Sequence, residues 1–159
     1  MSPSAEDLKR IQREQALVSA ARERDDARTD FRTGFAWPIT GRISGVYGSQ
    51  RFYNGEPSRP HYGVDVAAPV GAEVRAPAPG VVTLAEPDLF YSGGTVIIDH
   101  GGRYYTVSAH LQRISVQVGD ELTLGQRIGT VGTFDQKPAL LFEVRDGQNT
   151  LNTPEWFGI

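Results

Sequence analysis

At 159 residues and 39% hydrophobic content, the chain can build one core and carry one appendage. With no cysteine it has no disulfide, thiolate zinc site or cysteine nucleophile, and a net charge of −3 without a basic cluster gives no argument for nucleic acid or an anionic membrane. Eighteen glycines and ten prolines favour many short strands joined by tight turns, and no apolar run approaches the length of a membrane span.

The first thirty residues stand apart from the rest. Thirteen of them are charged, six basic and seven acidic, with no glycine and no proline after Pro3. Ser4 reads as a helix N-cap, followed by Glu6 and Asp7, whose carboxylates suit the positive end of the helix dipole. Leu8, Ile11, Gln15 and Val18 fall on one helical stripe that Leu17 and Ala21 widen, so the pattern predicts a helix over residues 5–29 with one narrow apolar face. Residues 1–35 form a charged N-terminal region: a solvated helix docked on its own domain, a linker, or the end of a coiled coil through which the chain meets itself or a partner.

Trp37-Pro38 closes this region, and from Gly41 the pattern is β. Arg42 to Tyr47 alternates, and a polar loop runs on to Pro60. Turn residues then separate short strands at Glu73 to Arg75 and Val81 to Ala85. Gly101-Gly102 joins Thr95–His100 to Arg103–His110 as a hairpin. Val116 to Gly132 supplies two more strands around glycine turns, and Pro138 to Arg145 supplies the last. Asn152 to Phe157 closes the chain with two aromatics expected to seal one end of the core. A predominantly antiparallel β domain over residues 36–159 follows.

Within that domain, Pro60-His61-Tyr62-Gly63-Val64-Asp65 sets a histidine and an aspartate at an even offset, so in an extended segment both leave from one face. Such a pair can supply two of the three protein ligands of a catalytic zinc. The run from Ala68 to Val82, the Ile-Asp-His-Gly stretch ending at Gly101, Ala109-His110-Leu111, the Gly-Gln-x-Ile-Gly block at 125–129 and Phe142-Glu143-Val144-Arg145 accompany it in order. Together these motifs resemble the lysostaphin/LytM family of zinc peptidoglycan endopeptidases over residues 36–157. The resemblance implies a mainly β domain of the duplicated hybrid motif kind, an antiparallel sheet with a groove, and one zinc in active members. It assigns His61 and Asp65 to the first two zinc ligands and His110 to the histidine that assists at the water.

The family pattern then calls for a His-x-His pair on the last strand, and here the matching residues are Ala139 and Leu141. Neither side chain can coordinate a metal or take a proton. A substitute ligand is not evident: Glu143 lies about 7 Å beyond Leu141 at ~3.4 Å per residue, Asp135 falls in a loop, and His100 matches a turn. Strand alternation sends Leu140, Phe142 and Val144 to the core and turns Ala139 and Leu141 toward the groove.

The resemblance therefore implies a catalytically degenerate LytM-like domain, without resident zinc or with zinc at low occupancy. It would act in the periplasm or cell envelope as a murein hydrolase activator in cell division, or as a peptidoglycan-binding module. The other enzymatic reading is an active zinc endopeptidase with an unconventional third ligand. A lipoyl-like carrier is a third class, but it needs a lysine at a hairpin tip, and the only lysines are Lys9 and Lys137. Envelope location rests on the resemblance alone, since no signal-peptide pattern opens the chain.

Overall fold

The computed structural model describes residues 4–23, 28–45, 52–53, 56–57, 63–134, 136–146 and 149–151. In chain order these form α1 (Ala5–Ala21), a 3-10 turn (Asp30–Thr33), β1 (Arg42–Gly45), β2 (Phe52–Tyr53), β3 (Glu56–Pro57), β4 (Val64–Ala67) and β5 (Glu73–Arg75). There follow β6 (Gly80–Leu89), β7 (Gly93–Asp99), β8 (Tyr104–Ile114), β9 (Glu121–Leu122), β10 (Arg127–Val131), β11 (Thr133–Phe134), β12 (Lys137–Asp146) and β13 (Asn149–Leu151). The fold is mainly antiparallel β with an N-terminal helix, as the sequence predicts.

One sheet runs in the order β1-β4-β12-β8-β7-β6-β9, with β10 bridging β5 to the far half of β8. Its two faces are chemically distinct. Val64, Val66, Val96, Ile98, Leu140, Phe142 and Val144 turn to one side, where Val74, Ile128 and Val131 of the short strands close the main core over them. Leu140, Phe142 and Val144 are fully buried, as their alternation requires. Burying each such side chain contributes about 1.5–3 kcal/mol. Trp37, before the first strand, packs on this core with its ring 6.3 Å from that of Phe142.

The opposite face carries a second, smaller cluster of Leu84, Leu89, Ile97, Tyr105 and Val107, and it is here that α1 docks through Ala21 and Val18. Ser4 caps α1 by accepting the Asp7 N–H at 3.1 Å. The helix is shorter than the predicted 5–29. It tightens after Ala21, where the Arg22 N–H bonds to Ser19 and the Glu23 N–H to Ala20, and residues 28–29 are not helical. Its buried stripe also differs: Ile11 and Ala21 are buried, whereas Leu8 and Leu17 are exposed and Glu14 takes the inward place expected of Gln15. No helix among the described residues is long and apolar enough to cross a membrane.

A strap from Arg28 to Ile39 leads from α1 to the sheet. The Phe31 N–H donates to the His100 carbonyl at 2.9 Å, the Ala36 N–H donates to the Pro77 carbonyl, and the Pro38 carbonyl accepts from the Arg75 N–H. Arg28 pairs with Asp30 at 2.6 Å and with Glu121 at 2.9 Å. Gly101 permits the close crossing, because a Cβ there would drive into the Arg28 carbonyl.

Candidate functional site

Asp65 lies on β4, directly across from Leu141 of β12, and Leu141 in turn faces Ala109 of β8. Residues opposite one another on adjacent antiparallel strands project to the same face. Asp65, Leu141 and Ala109 therefore make one row across the groove side of the sheet. The next row toward one end is Ala67 beside Ala139, and the next toward the other is Glu143, Val107 and Ile97. Gly63 lets the chain come in close before Asp65, since a Cβ would meet the Phe142 carbonyl and stand 2.7 Å from Glu143 Cγ. His61 lies outside the described residues, as do Asp135 and residues 152–159 with their two aromatics.

His110 follows the row at a bend. Its φ is +61°, a left-handed backbone rare for a residue with a side chain and worth about 1–2 kcal/mol of strain. The bend is pinned on both sides: the His110 N–H donates to Ser92 at 2.8 Å, and its carbonyl accepts from Gly132 at 2.9 Å. Here β8 leaves β12 and takes up β10, so the strain sits where one strand changes partners. The imidazole lines an open cleft of about 410 Å³ with Asp88, Gly93, Gly94, Gln112 and Gly132. A Cβ on Gly93 would stand 3.8 Å from His110 Nδ1. Leu141 thus stands between Asp65 and Ala109, the residue before His110, and the cleft at His110 is lined by neither Asp65 nor Leu141.

His100 is a different kind of histidine. It is fully buried with its ring 4.9 Å from Phe35. Nδ1 lies 2.7 Å from the Pro79 carbonyl, so it must carry the proton, and Nε2 then accepts from the Thr106 hydroxyl at 2.8 Å. Burial pulls its pKa down to about 4, keeping it neutral. It ties a turn to a strand, as its place in the sequence suggests.

The zinc that the family resemblance implies can be tested against the donors present. Leu141 offers only hydrocarbon beside Asp65, and Ala139 pairs with Ala67 as two methyl groups. Glu143 is engaged by Arg145 at 3.2 Å. Among the described residues no group of three or more His, Cys, Asp or Glu comes together. The described groups around Asp65 do not by themselves supply the three-donor set of a hydrolytic zinc.

Two features here have no signature in the sequence. The tip of the β6–β7 hairpin brings Asp88 and Phe90 beside α1: the Phe90 N–H donates to Glu14 at 2.7 Å, and Arg10 bonds to the Asp88 carbonyl. Arg22, just past the helix, comes close to Glu143 and Arg145 on the groove face. Both depend on contacts between segments far apart in the chain.

Comparison with known proteins bears on this geometry. Residues 59–153 match the family described as Peptidase family M23. The lipoprotein NlpD/LppB homolog of Pseudomonas aeruginosa is 34% identical over 113 residues, which cover 70% of this chain and 36% of that protein. The murein hydrolase activator EnvC of Escherichia coli is 33% identical over 124 residues, covering 77% of this chain and 28% of that one. A crystal structure of a putative peptidase M23 from Pseudomonas aeruginosa superposes with a TM-score of 0.79 at 31% identity, over 99% of this chain and 65% of the other. The chain spans about a third of the length of those two curated relatives.

Proposed function

This chain belongs to peptidase family M23, and from that premise we propose that it is a catalytically degenerate LytM-like domain of the bacterial cell envelope. It regulates cell-wall hydrolases or binds peptidoglycan, and does not itself cut. Residues 36–159 are the domain in this reading, and residues 1–35 an appended helical arm. The observation that carries it is Leu141 standing directly across from Asp65. By the family pattern that position holds the third zinc ligand, and Ala139 the general base.

The physical consequences compound. A hydrolytic zinc needs three protein ligands to hold it and to bring its water near neutrality. His61 and Asp65 alone would bind zinc weakly, and without a general base a further factor of about 10²–10⁴ in rate is lost. His110 remains in the groove as a remnant of the catalytic set. An intact sheet with an apolar groove floor is what a binding domain keeps when chemistry is gone. That one relative is named a murein hydrolase activator and another a lipoprotein supports the regulatory role and the envelope location.

The endopeptidase reading is favoured by His110, which still lines an open cleft at a strained bend, and by similarity to relatives of Vibrio cholerae named peptidoglycan DD-endopeptidases. It would need a third donor to reach Asp65 past Leu141. Dye release from labelled sacculi by a cell-wall hydrolase of the same organism, with and without this chain, tests the regulatory reading. The chain is expected to raise the release or to sediment with the sacculi. Neither effect with any hydrolase of that organism would overturn it.

A further inference from the structure

The β6–β7 hairpin ends in a three-residue loop, Phe90-Tyr91-Ser92, between the paired residues Leu89 and Gly93. Surface loops are ordinarily more mobile than the strands they join. This one is tied to β8, β7 and α1 at once. The Ser92 carbonyl accepts the His110 N–H at 2.8 Å, the Ser92 and Thr95 hydroxyls bond at 2.7 Å, and the Phe90 N–H donates to Glu14 at 2.7 Å. The Arg10 guanidinium lies 5.8 Å from the centre of the Phe90 ring. What these ties hold in place is an apolar surface. Phe90 and Tyr91 are 37% and 59% exposed, with ring centres 5.1 Å apart and planes at 89°. A single exposed aromatic needs no explanation. Two in edge-to-face contact on an anchored loop form a preorganised contact surface.

The loop stands at one end of the open cleft of about 410 Å³. Pro87 and Asp88 before it, and Gly93 and Gly94 after it, are walls of that cleft. Val70 and Leu111 give the cleft its apolar part, and Asp88, Gln112 and Thr133 its polar part. Gln112 spends its amide oxygen on the Thr130 hydroxyl at 3.4 Å, which leaves its NH2 as a donor. The Asp88 side chain is 86% exposed, and its carboxylate reaches Arg10 only at 3.5 Å, which leaves it capacity to accept. No lysine or arginine lines the cleft. A few placed polar groups beside aromatic and apolar surface are the composition of a small-ligand site.

We propose that the Phe90–Tyr91 loop and the adjoining cleft bind an uncharged N-acetylated sugar of a glycan strand, with the sugar ring against Tyr91 and its polar groups on Asp88 and Gln112. The proposal rests on the peptidoglycan-binding side of the reading above and names which part of that polymer this end of the groove takes. A pyranose ring carries an apolar C–H face for an aromatic ring and hydroxyls at its edge. An N-acetyl group adds an N–H for the Asp88 carboxylate and a carbonyl for the Gln112 NH2. A purely apolar partner would cover both groups unpaired. A carboxylate-rich peptide would meet Asp88 where no lysine or arginine lines the cleft to receive it. The sugar site is separate from the row of Asp65 and Leu141, which do not line this cleft.

Calorimetric titration of the full chain with an N-acetylglucosamine tetramer, and separately with a sugar-free stem tetrapeptide of peptidoglycan, tests this. The tetramer is expected to bind at least ~10-fold more tightly than the peptide. Tyr91→Ala should weaken the tetramer at least ~10-fold, while Tyr91→Phe, which keeps the ring, should stay within ~3-fold of the unaltered chain. No tetramer binding at millimolar concentration, tighter binding of the peptide, or unchanged affinity in Tyr91→Ala would overturn the proposal. Should Tyr91→Ala not fold, the ring-proton resonances of Tyr91 in the unaltered chain decide: they should shift as the tetramer is added, and no shift would overturn the idea. A chain that raises hydrolase release or sediments with sacculi yet binds no tetramer would leave the regulatory reading standing and remove this site. A chain that binds the tetramer through Tyr91 but cuts peptidoglycan would remove that reading and keep the site.

Discussion

Asp65 and Leu141 face each other across adjacent strands, and the chemistry of the groove turns on that pair. In the degenerate reading, a carboxylate beside an isobutyl group has lost its partner in coordination, not its position. Restoring the donors should therefore restore the metal: with Ala139→His and Leu141→His together, the chain is expected to retain about one zinc per molecule after purification, by elemental analysis. Zinc content no higher than that of the unaltered chain would mean that the groove has drifted away from the family geometry. Which residues of the last strand turn away from the core was legible in the sequence, because Leu140, Phe142 and Val144 alternate and are buried. The pairing of Leu141 with Asp65 was not, since register between distant strands is set by bulges and tertiary contacts. Nor was the left-handed backbone of His110, which marks a change of strand partners rather than any local turn sequence.

At the scale of elements, the alternating strands were the most readable part, and the hairpin around Gly101-Gly102 forms as its composition requires. The helix was read too long because its charged continuation kept a helical composition; the chain instead tightens at Arg22 and turns toward the strap. The β6–β7 hairpin beyond Ala85 was missed, since Pro87 interrupts the pattern and a register shift absorbs it. The strap and its turn are held together by His100, and this gives a pH dependence. Its folded pKa of about 4 lies below the ordinary 6.5, so the folded state binds fewer protons than the unfolded state between those values. The stabilisation is therefore present above about pH 6.5 and is lost as pH falls toward 4, by roughly 3 kcal/mol in all. Urea unfolding at pH 7 and pH 4.5 should show this loss, and His100→Asn should flatten it while lowering stability at pH 7. An unchanged pH slope in the variant would contradict the assignment.

For the whole molecule, a sheet with one face sealed into a core and the other partly covered by its own helix is a scaffold built to present a groove. The family relationship supplies the scaffold's ancestry, and the proposal that the groove no longer cuts rests on Leu141 across from Asp65. The most direct measurement is the release of new amine groups from purified peptidoglycan by this chain alone, with and without added zinc. The account expects no release above background in either case. Turnover that zinc supports and that His61→Ala abolishes would contradict it.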